Sequence, residues 1–109
     1  MLIPLLGSEN SERVLIFLLK REEGYAREIA PFFDASLYAI QKQLDKFEQG
    51  GVLVSRKVGR TRLYMYNPRY PFLTELKTLL EKVYAFYPEE VREGLEMNRR
   101  RPRKKDKPL

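Results

Sequence analysis

The order of apolar and polar residues along the chain predicts helices in its first half and a β-hairpin after residue 50. Residues 13–20 are apolar nearly all round, which predicts a helix at the centre of the core. Either Ser8 or Ser11 can cap this helix, since a serine hydroxyl accepts a hydrogen bond from a free backbone N–H. The pattern breaks at residues 22–24, and a second, short helix is expected over residues 25–33, where Pro31 should disturb it.

The clearest helical period follows Ser36, which we expect to cap a helix spanning residues 36–49. Its apolar positions are spaced three and four residues apart and form one stripe: Leu37, Ile40, Leu44 and Phe47. The glycine pair at residues 50–51 should end it, because glycine adopts the left-handed conformation at little cost.

After the glycines the period changes to two. Residues 52–58 and 62–66 are rich in β-forming side chains, and residues 59–61 between them predict a hairpin turn. A further helix is expected from Pro71 to Tyr84, followed by a last short helix that starts near Pro88.

The net charge of +6 is unevenly distributed. Residues 99–109 contain seven bases and one acid, so this segment alone carries +6, and the rest of the chain is formally neutral. Within that remainder, residues 42–69 carry +5 between two mildly acidic segments. We expect 99–109 to be a disordered tail whose bases contact DNA without sequence preference: Arg99, Arg100, Arg101, Arg103, Lys104 and Lys105.

The composition excludes several classes of function. The chain has no Cys and no His, which excludes disulfides, thiolate or imidazole metal sites, Cys nucleophiles and His-based catalytic triads. No Gly-rich phosphate loop is present either, so we expect no enzymatic activity and no cofactor. No apolar run is long enough for a membrane span or a signal peptide, so the expected location is cytoplasmic.

The order of these elements is that of a winged helix-turn-helix: a mainly α fold with a small β-hairpin wing. The residues that carry the resemblance are Glu28-Ile29-Ala30, Ser36, Ile40, Leu44, Phe47, Gly51-Val52, Ser55-Arg56, Gly59-Arg60, Tyr64 and Asn67-Pro68. Over residues 7–80 the chain resembles bacterial and archaeal winged-helix regulators of the ArsR-like superfamily. Its Leu6-Gly7-Ser8 opening and the segment 67–80 resemble a subgroup encoded beside, or fused to, minimal nucleotidyltransferases.

The resemblance implies a winged domain over residues 1–70 and a C-terminal helical region over residues 71–98 that mediates dimerisation. The expected dimer interface consists of Phe72, Leu76, Leu79, Leu80, Val83 and Tyr84. The alternative is that this helix folds back onto the first helix and completes a monomer. Many ArsR-like proteins sense metals through Cys and His clusters, and this chain contains neither residue.

The expected function is sequence-specific transcriptional regulation through double-stranded DNA, with helix 36–49 in the major groove and wing 56–62 on the backbone or minor groove. The helix offers Ser36, Tyr38, Gln41 and Lys42, and the resemblance adds Leu37. The wing offers Arg56, Lys57, Arg60, Thr61 and Arg62. A dimer would bind a quasi-palindrome with its two helices about one DNA turn (~34 Å) apart.

Two other functions remain open from the sequence. The winged domain could dock a protein partner from a neighbouring gene, in which case the basic hairpin is incidental. A toxin–antitoxin role, or one linked to a nucleotidyltransferase, would involve both DNA and a protein partner.

Overall fold

The computed structural model describes residues 1–97, which form six helices and a three-stranded antiparallel sheet and are mostly helical. The elements are α1 Ile3–Leu6, α2 Glu9–Arg21, β1 Glu23–Tyr25, α3 Ala26–Phe32, α4 Leu37–Gln49, β2 Leu53–Val58, β3 Thr61–Tyr66, α5 Leu73–Tyr84 and α6 Glu89–Met97. The DNA contacts expected in residues 99–109 lie outside the described part of the chain. Within residues 1–97, every helix is too short or too polar to cross a bilayer.

Helix α2 is the centre of the core, as its apolar run predicts. Residues 14–18 are all buried, and the helix packs against α4, α5 and α6. Ser8 provides the cap by accepting a hydrogen bond from the Ser11 backbone N–H at 3.1 Å. The Tyr66 hydroxyl donates to the Leu15 carbonyl at 2.6 Å and ties β3 to α2.

Helices α3 and α4 are joined by a tight turn. Pro31 lies in the last turn of α3, which ends at Phe32, and Asp34 takes a left-handed conformation with φ of 54°. Ser36 then caps α4 by accepting from the Ala39 N–H at 3.0 Å, as expected. Of the four apolar positions that the period predicts to face the core, Ile40, Leu44 and Phe47 are buried, whereas Leu37, in the first turn of the helix, is exposed.

The sheet has the strand order β1-β3-β2 and contains one strand that the sequence did not predict. The hairpin turn consists of Gly59 and Arg60, with Gly59 at a φ of 62°, and Thr61 already belongs to β3. The segment we interpreted as a break between helices instead forms β1, in which Gly24 pairs with Tyr64. A Cβ at Gly24 would lie 2.8 Å from Cε1 of Phe17, so only glycine fits between the strand and α2.

The C-terminal helices fold back onto α2, which corrects part of the expected dimer interface. Helix α5 begins at Leu73 rather than at Pro71, and Leu80, Val83 and Tyr84 are buried within the single chain. Their apolar character is therefore explained without a partner, as in the monomeric alternative. Helix α6 completes this layer through the buried Leu95.

Candidate nucleic-acid interface

The outward side of α4 carries the residues expected to read DNA. Tyr38 and Lys42 are exposed and one helical turn apart, and Leu37 is also exposed although it belongs to the apolar period. The buried apolar stripe of α4 therefore begins at Ile40 rather than at Leu37. Ser36 has its side-chain oxygen engaged by the Ala39 N–H, so its hydroxyl serves first as a helix cap.

Strand register determines how the basic residues of the hairpin are arranged. Lys57 lies directly opposite Arg62, on the face of the sheet that also carries Ser55 and Tyr64. Arg56 and Thr61 lie on the other face, and Arg60 lies in the turn between the strands. Within residues 1–97, none of these four basic side chains forms an ion pair.

Thr61 has a structural role in the turn. Its hydroxyl donates to the Val58 carbonyl at 2.9 Å, across the two turn residues. This bond stabilises the tight connection on which the exposed Arg60 is carried, so the contribution of Thr61 to a ligand surface is indirect.

Side-chain hydrogen bonds join the hairpin to α4. The Ser55 hydroxyl donates to Oε2 of Glu48 at 2.7 Å, and Nε of Arg62 donates to the Ser55 hydroxyl oxygen at 3.0 Å. Nearer the start of the helix, Nε2 of Gln41 donates to the Tyr64 hydroxyl oxygen at 2.9 Å. These bonds join the hairpin to α4 at two positions along the helix, so the two elements form one surface.

Gln41 has both of its amide hydrogens engaged inside the protein. Besides its bond to Tyr64, Nε2 donates to Oδ1 of Asp45 at 3.0 Å. A carboxylate can only accept, so the amide nitrogen must face Asp45, and the carbonyl oxygen is the atom that remains for a ligand. Burial and the nearby charges of Asp45 and Glu48 raise the Tyr64 pKa, although the Gln41 hydrogen bond acts in the opposite sense.

An open cleft of about 410 Å³ lies between the start of α3, α4 and the hairpin. Its lining consists of Tyr25, Ala26, Arg27, Leu37, Gln41, Asp45, Arg60, Thr61, Arg62 and Tyr64. Three of these are arginines. Sequence reasoning missed Arg27, although its place beside the inward-facing Ala26 would have indicated an exposed basic position next to the expected interface.

The cleft brings together five of the expected site residues, Leu37, Gln41, Arg60, Thr61 and Arg62. The other five lie outside its lining: Ser36, Tyr38, Lys42, Arg56 and Lys57. Tyr38 and Lys42 face outward from α4, and Arg56 lies on the far face of the sheet. Half of the expected site residues therefore share one open cleft, and Arg56 faces away from it.

Among the residues that the structure describes, no group of three or more acidic side chains lies close enough together to hold a metal ion. Comparisons of the chain with models of known protein families, with curated proteins and with solved structures find no match.

Proposed function

We propose that the chain is a sequence-specific, double-stranded-DNA-binding transcriptional regulator of the winged helix-turn-helix class. The proposal rests on one observation: Gln41 and Glu48 of α4 are hydrogen-bonded to Tyr64 and Ser55 of the basic hairpin, so the helix and the hairpin are held side by side. In this arrangement α4 enters the major groove, the α3–α4 turn supports it, and the hairpin follows the DNA backbone.

The charge of the hairpin supports a polyanionic ligand. Residues 53–66 contain four bases and no acid. Lys57 and Arg62 lie directly opposite each other, an arrangement in which like charges repel. Phosphates bound between or beside such bases relieve that repulsion and release counterions, so DNA affinity should fall steeply with salt.

The positions of individual side chains indicate separate roles in DNA binding. Lys42 can pair with a guanine edge or a phosphate, and Tyr38 can contact a phosphate or a thymine methyl group. Arg60, at the tip of the hairpin, is placed to reach the minor groove. Arg27 joins the arginines that line the cleft and adds a backbone contact from α3.

One observation favours a second candidate function, docking of a protein partner. Leu37 is 39% exposed and Tyr38 is 77% exposed at the start of α4, which is a small apolar surface beside the basic one. If this surface docks a protein, the chain should bind that partner at about 0.15 M salt and show no preference among duplexes.

Selection of bound sites from random duplexes, followed by fluorescence-anisotropy titration of the enriched site, tests the proposal. The variant Gln41→Ala/Lys42→Ala should lose at least about tenfold in its preference for that site over unrelated duplex. Lys77→Ala, which removes an exposed positive charge from α5, is the control and should keep the preference. The absence of any enriched site, or an unchanged preference in the double variant, would overturn the proposal.

A further inference from the structure

A buried carboxylate lies where the N-terminus, α2 and the connection between α5 and α6 meet. Glu12 is buried although it is charged, which requires that donors or opposite charges replace the water it has lost. Its Oε1 accepts from the Leu2 N–H and lies 3.0 Å from the N-terminal ammonium, and its Oε2 accepts from the Tyr87 hydroxyl. Among residues 1–97, that ammonium is the only cation paired with Glu12, so the group that the carboxylate binds is an ammonium.

A cavity of about 320 Å³ lies beside this carboxylate. Its volume is within the range of small-ligand sites, about 300–1,000 Å³. Apolar side chains from Phe33, Pro88 and Val91 line it together with Glu12 and Tyr87. The cavity therefore combines one buried charge with apolar walls.

The two other charged side chains that line the cavity pair with each other. The Arg13 guanidinium lies 3.2 Å from Oε2 of Glu9, and it also lies 5.6 Å from the centre of the Phe33 ring. Their charges cancel, so the charge that a ligand has to complement is the single negative charge of Glu12. A ligand with one positive charge satisfies it.

We propose that this cavity binds a small primary ammonium compound with an apolar body, whose ammonium takes the place of the N-terminal ammonium on Glu12. The apolar body then packs on Phe33, Pro88 and Val91. Met1 is 58% exposed, so its displacement removes little packing. This inference does not depend on DNA binding, because the cavity lies outside the proposed DNA interface.

The ligand competes with a group that is tethered to the site. A short tether gives the N-terminal ammonium an effective concentration on the order of millimolar, so an ammonium alone should not displace it. The apolar body must supply the additional affinity by leaving water for the walls of the cavity. Each methylene added to an alkylamine should therefore raise its affinity about two- to fourfold until the cavity is filled.

Titration of the full chain with n-hexylamine at neutral pH, followed by the chemical shifts of its backbone amides, tests the inference. The amides of Leu2, Glu12 and Val91 should shift saturably, with a dissociation constant below about 1 mM. The uncharged 1-hexanol, which has the same carbon chain, should bind at least about tenfold more weakly, because it cannot pair with the carboxylate. Glu12→Gln keeps the shape and removes the charge, so it should weaken n-hexylamine binding at least about tenfold and leave 1-hexanol binding unchanged.

Glu93→Gln makes the matched change at an exposed position of α6 outside the cavity lining, and it should bind n-hexylamine like the wild type. The comparison of n-hexylamine with 1-hexanol uses the wild-type chain, so it decides the matter even if Glu12→Gln does not fold. The absence of a saturable shift at about 10 mM n-hexylamine would overturn the inference. It would equally be overturned by equal affinities for the two compounds, or by unchanged n-hexylamine affinity in a folded Glu12→Gln variant.

Discussion

Gln41 on α4 donates a hydrogen bond to the hydroxyl of Tyr64 on β3 at 2.9 Å, and its second amide hydrogen is held by Asp45. A glutamine with both hydrogens free can read adenine through a donor and an acceptor together. With both engaged, Gln41 offers only its carbonyl oxygen. The hairpin thereby restricts what the helix proposed to enter the groove can recognise.

The first prediction is that Tyr64→Phe alters base preference at the position contacted by Gln41. The wild type should prefer a base with an exposed amino group, adenine or cytosine, because the carbonyl needs a donor. Removing the hydroxyl frees an amide hydrogen, so discrimination against guanine and thymine should fall by several-fold up to about tenfold. Anisotropy titrations with four duplexes that differ at that position measure this.

Tyr66→Phe is the matched control, since it makes the same substitution on the same strand and removes a hydroxyl bonded to Leu15 instead. It should lower stability and leave the ranking of the four duplexes unchanged. If Tyr64→Phe also leaves that ranking unchanged while specific binding persists, the hydrogen bond to Tyr64 does not limit which bases Gln41 recognises.

The second prediction concerns residues 99–109, which carry as much net charge as the whole chain. Deleting them should weaken DNA affinity and reduce the slope of its logarithm against log salt by about one for each phosphate that the segment neutralises. The preference among sequences should remain, because α4 is intact. Titrations between about 50 and 300 mM salt measure both quantities, and disappearance of the preference on deletion would show that α4 is not the reader.

The third prediction is a pH dependence of stability from Glu12, which is only 4% exposed. Burial acts to raise the pKa of Glu12. Hydrogen bonds from the Tyr87 hydroxyl and the Leu2 N–H, together with the N-terminal ammonium 3.0 Å from Oε1, outweigh burial, so the pKa is lowered. The carboxylate thus stabilises the folded state fully above its ordinary pKa of about 4.5, and this contribution is lost as pH falls through the lowered folded value.

Glu12→Gln removes this charge and should cost about 1–3 kcal/mol of the free energy of unfolding at pH 7. The difference from the wild type should shrink as pH falls from about 6 towards 3, since the wild-type carboxylate then becomes protonated. Urea denaturation at a series of pH values gives this difference. A difference that stays constant over that range would mean that Glu12 is not held as a carboxylate in the folded protein.

The fourth prediction tests the packing of β1. Gly24→Ala should destabilise the protein by about 1–3 kcal/mol, because the new methyl group overlaps the Phe17 ring. Gly50→Ala is the control: its φ of −82° suits alanine and the nearest atom would lie at 3.5 Å. Equal stabilities of the two variants in urea denaturation would contradict the close approach of β1 to α2.

Features that depend on residues close together in the sequence were predictable from it. The caps at Ser8 and Ser36, the buried face of α4 and the hairpin each depend on residues within a few positions of one another. Strand β1 has three residues and exists because β3, about forty positions later, provides its hydrogen-bond partners. No local period could predict it, nor that α2 would cover Leu80, Val83 and Tyr84.

The residues of the candidate site were predictable from the sequence, and the hydrogen bonds between them were less so. Exposed positions on α4 and the basic hairpin follow from spacing alone. The bond from Gln41 to Tyr64 depends on how the helix packs on the sheet, and the bond from Arg62 to Ser55 depends on the register of the two strands. The sequence reveals neither bond, so both side chains were expected to be available to DNA. Arg27 joins the cleft for a similar reason, because α3 packs against α4 and β1.

Mapping of backbone amide chemical shifts by NMR on addition of the selected duplex tests the central claim most directly. The proposed interface requires the largest shift changes in residues 36–42 and 56–62, together with Arg27, while the amides of α5 change little. Tight binding of the duplex with changes concentrated on α5 or α6, and none on α4 or the hairpin, would contradict it.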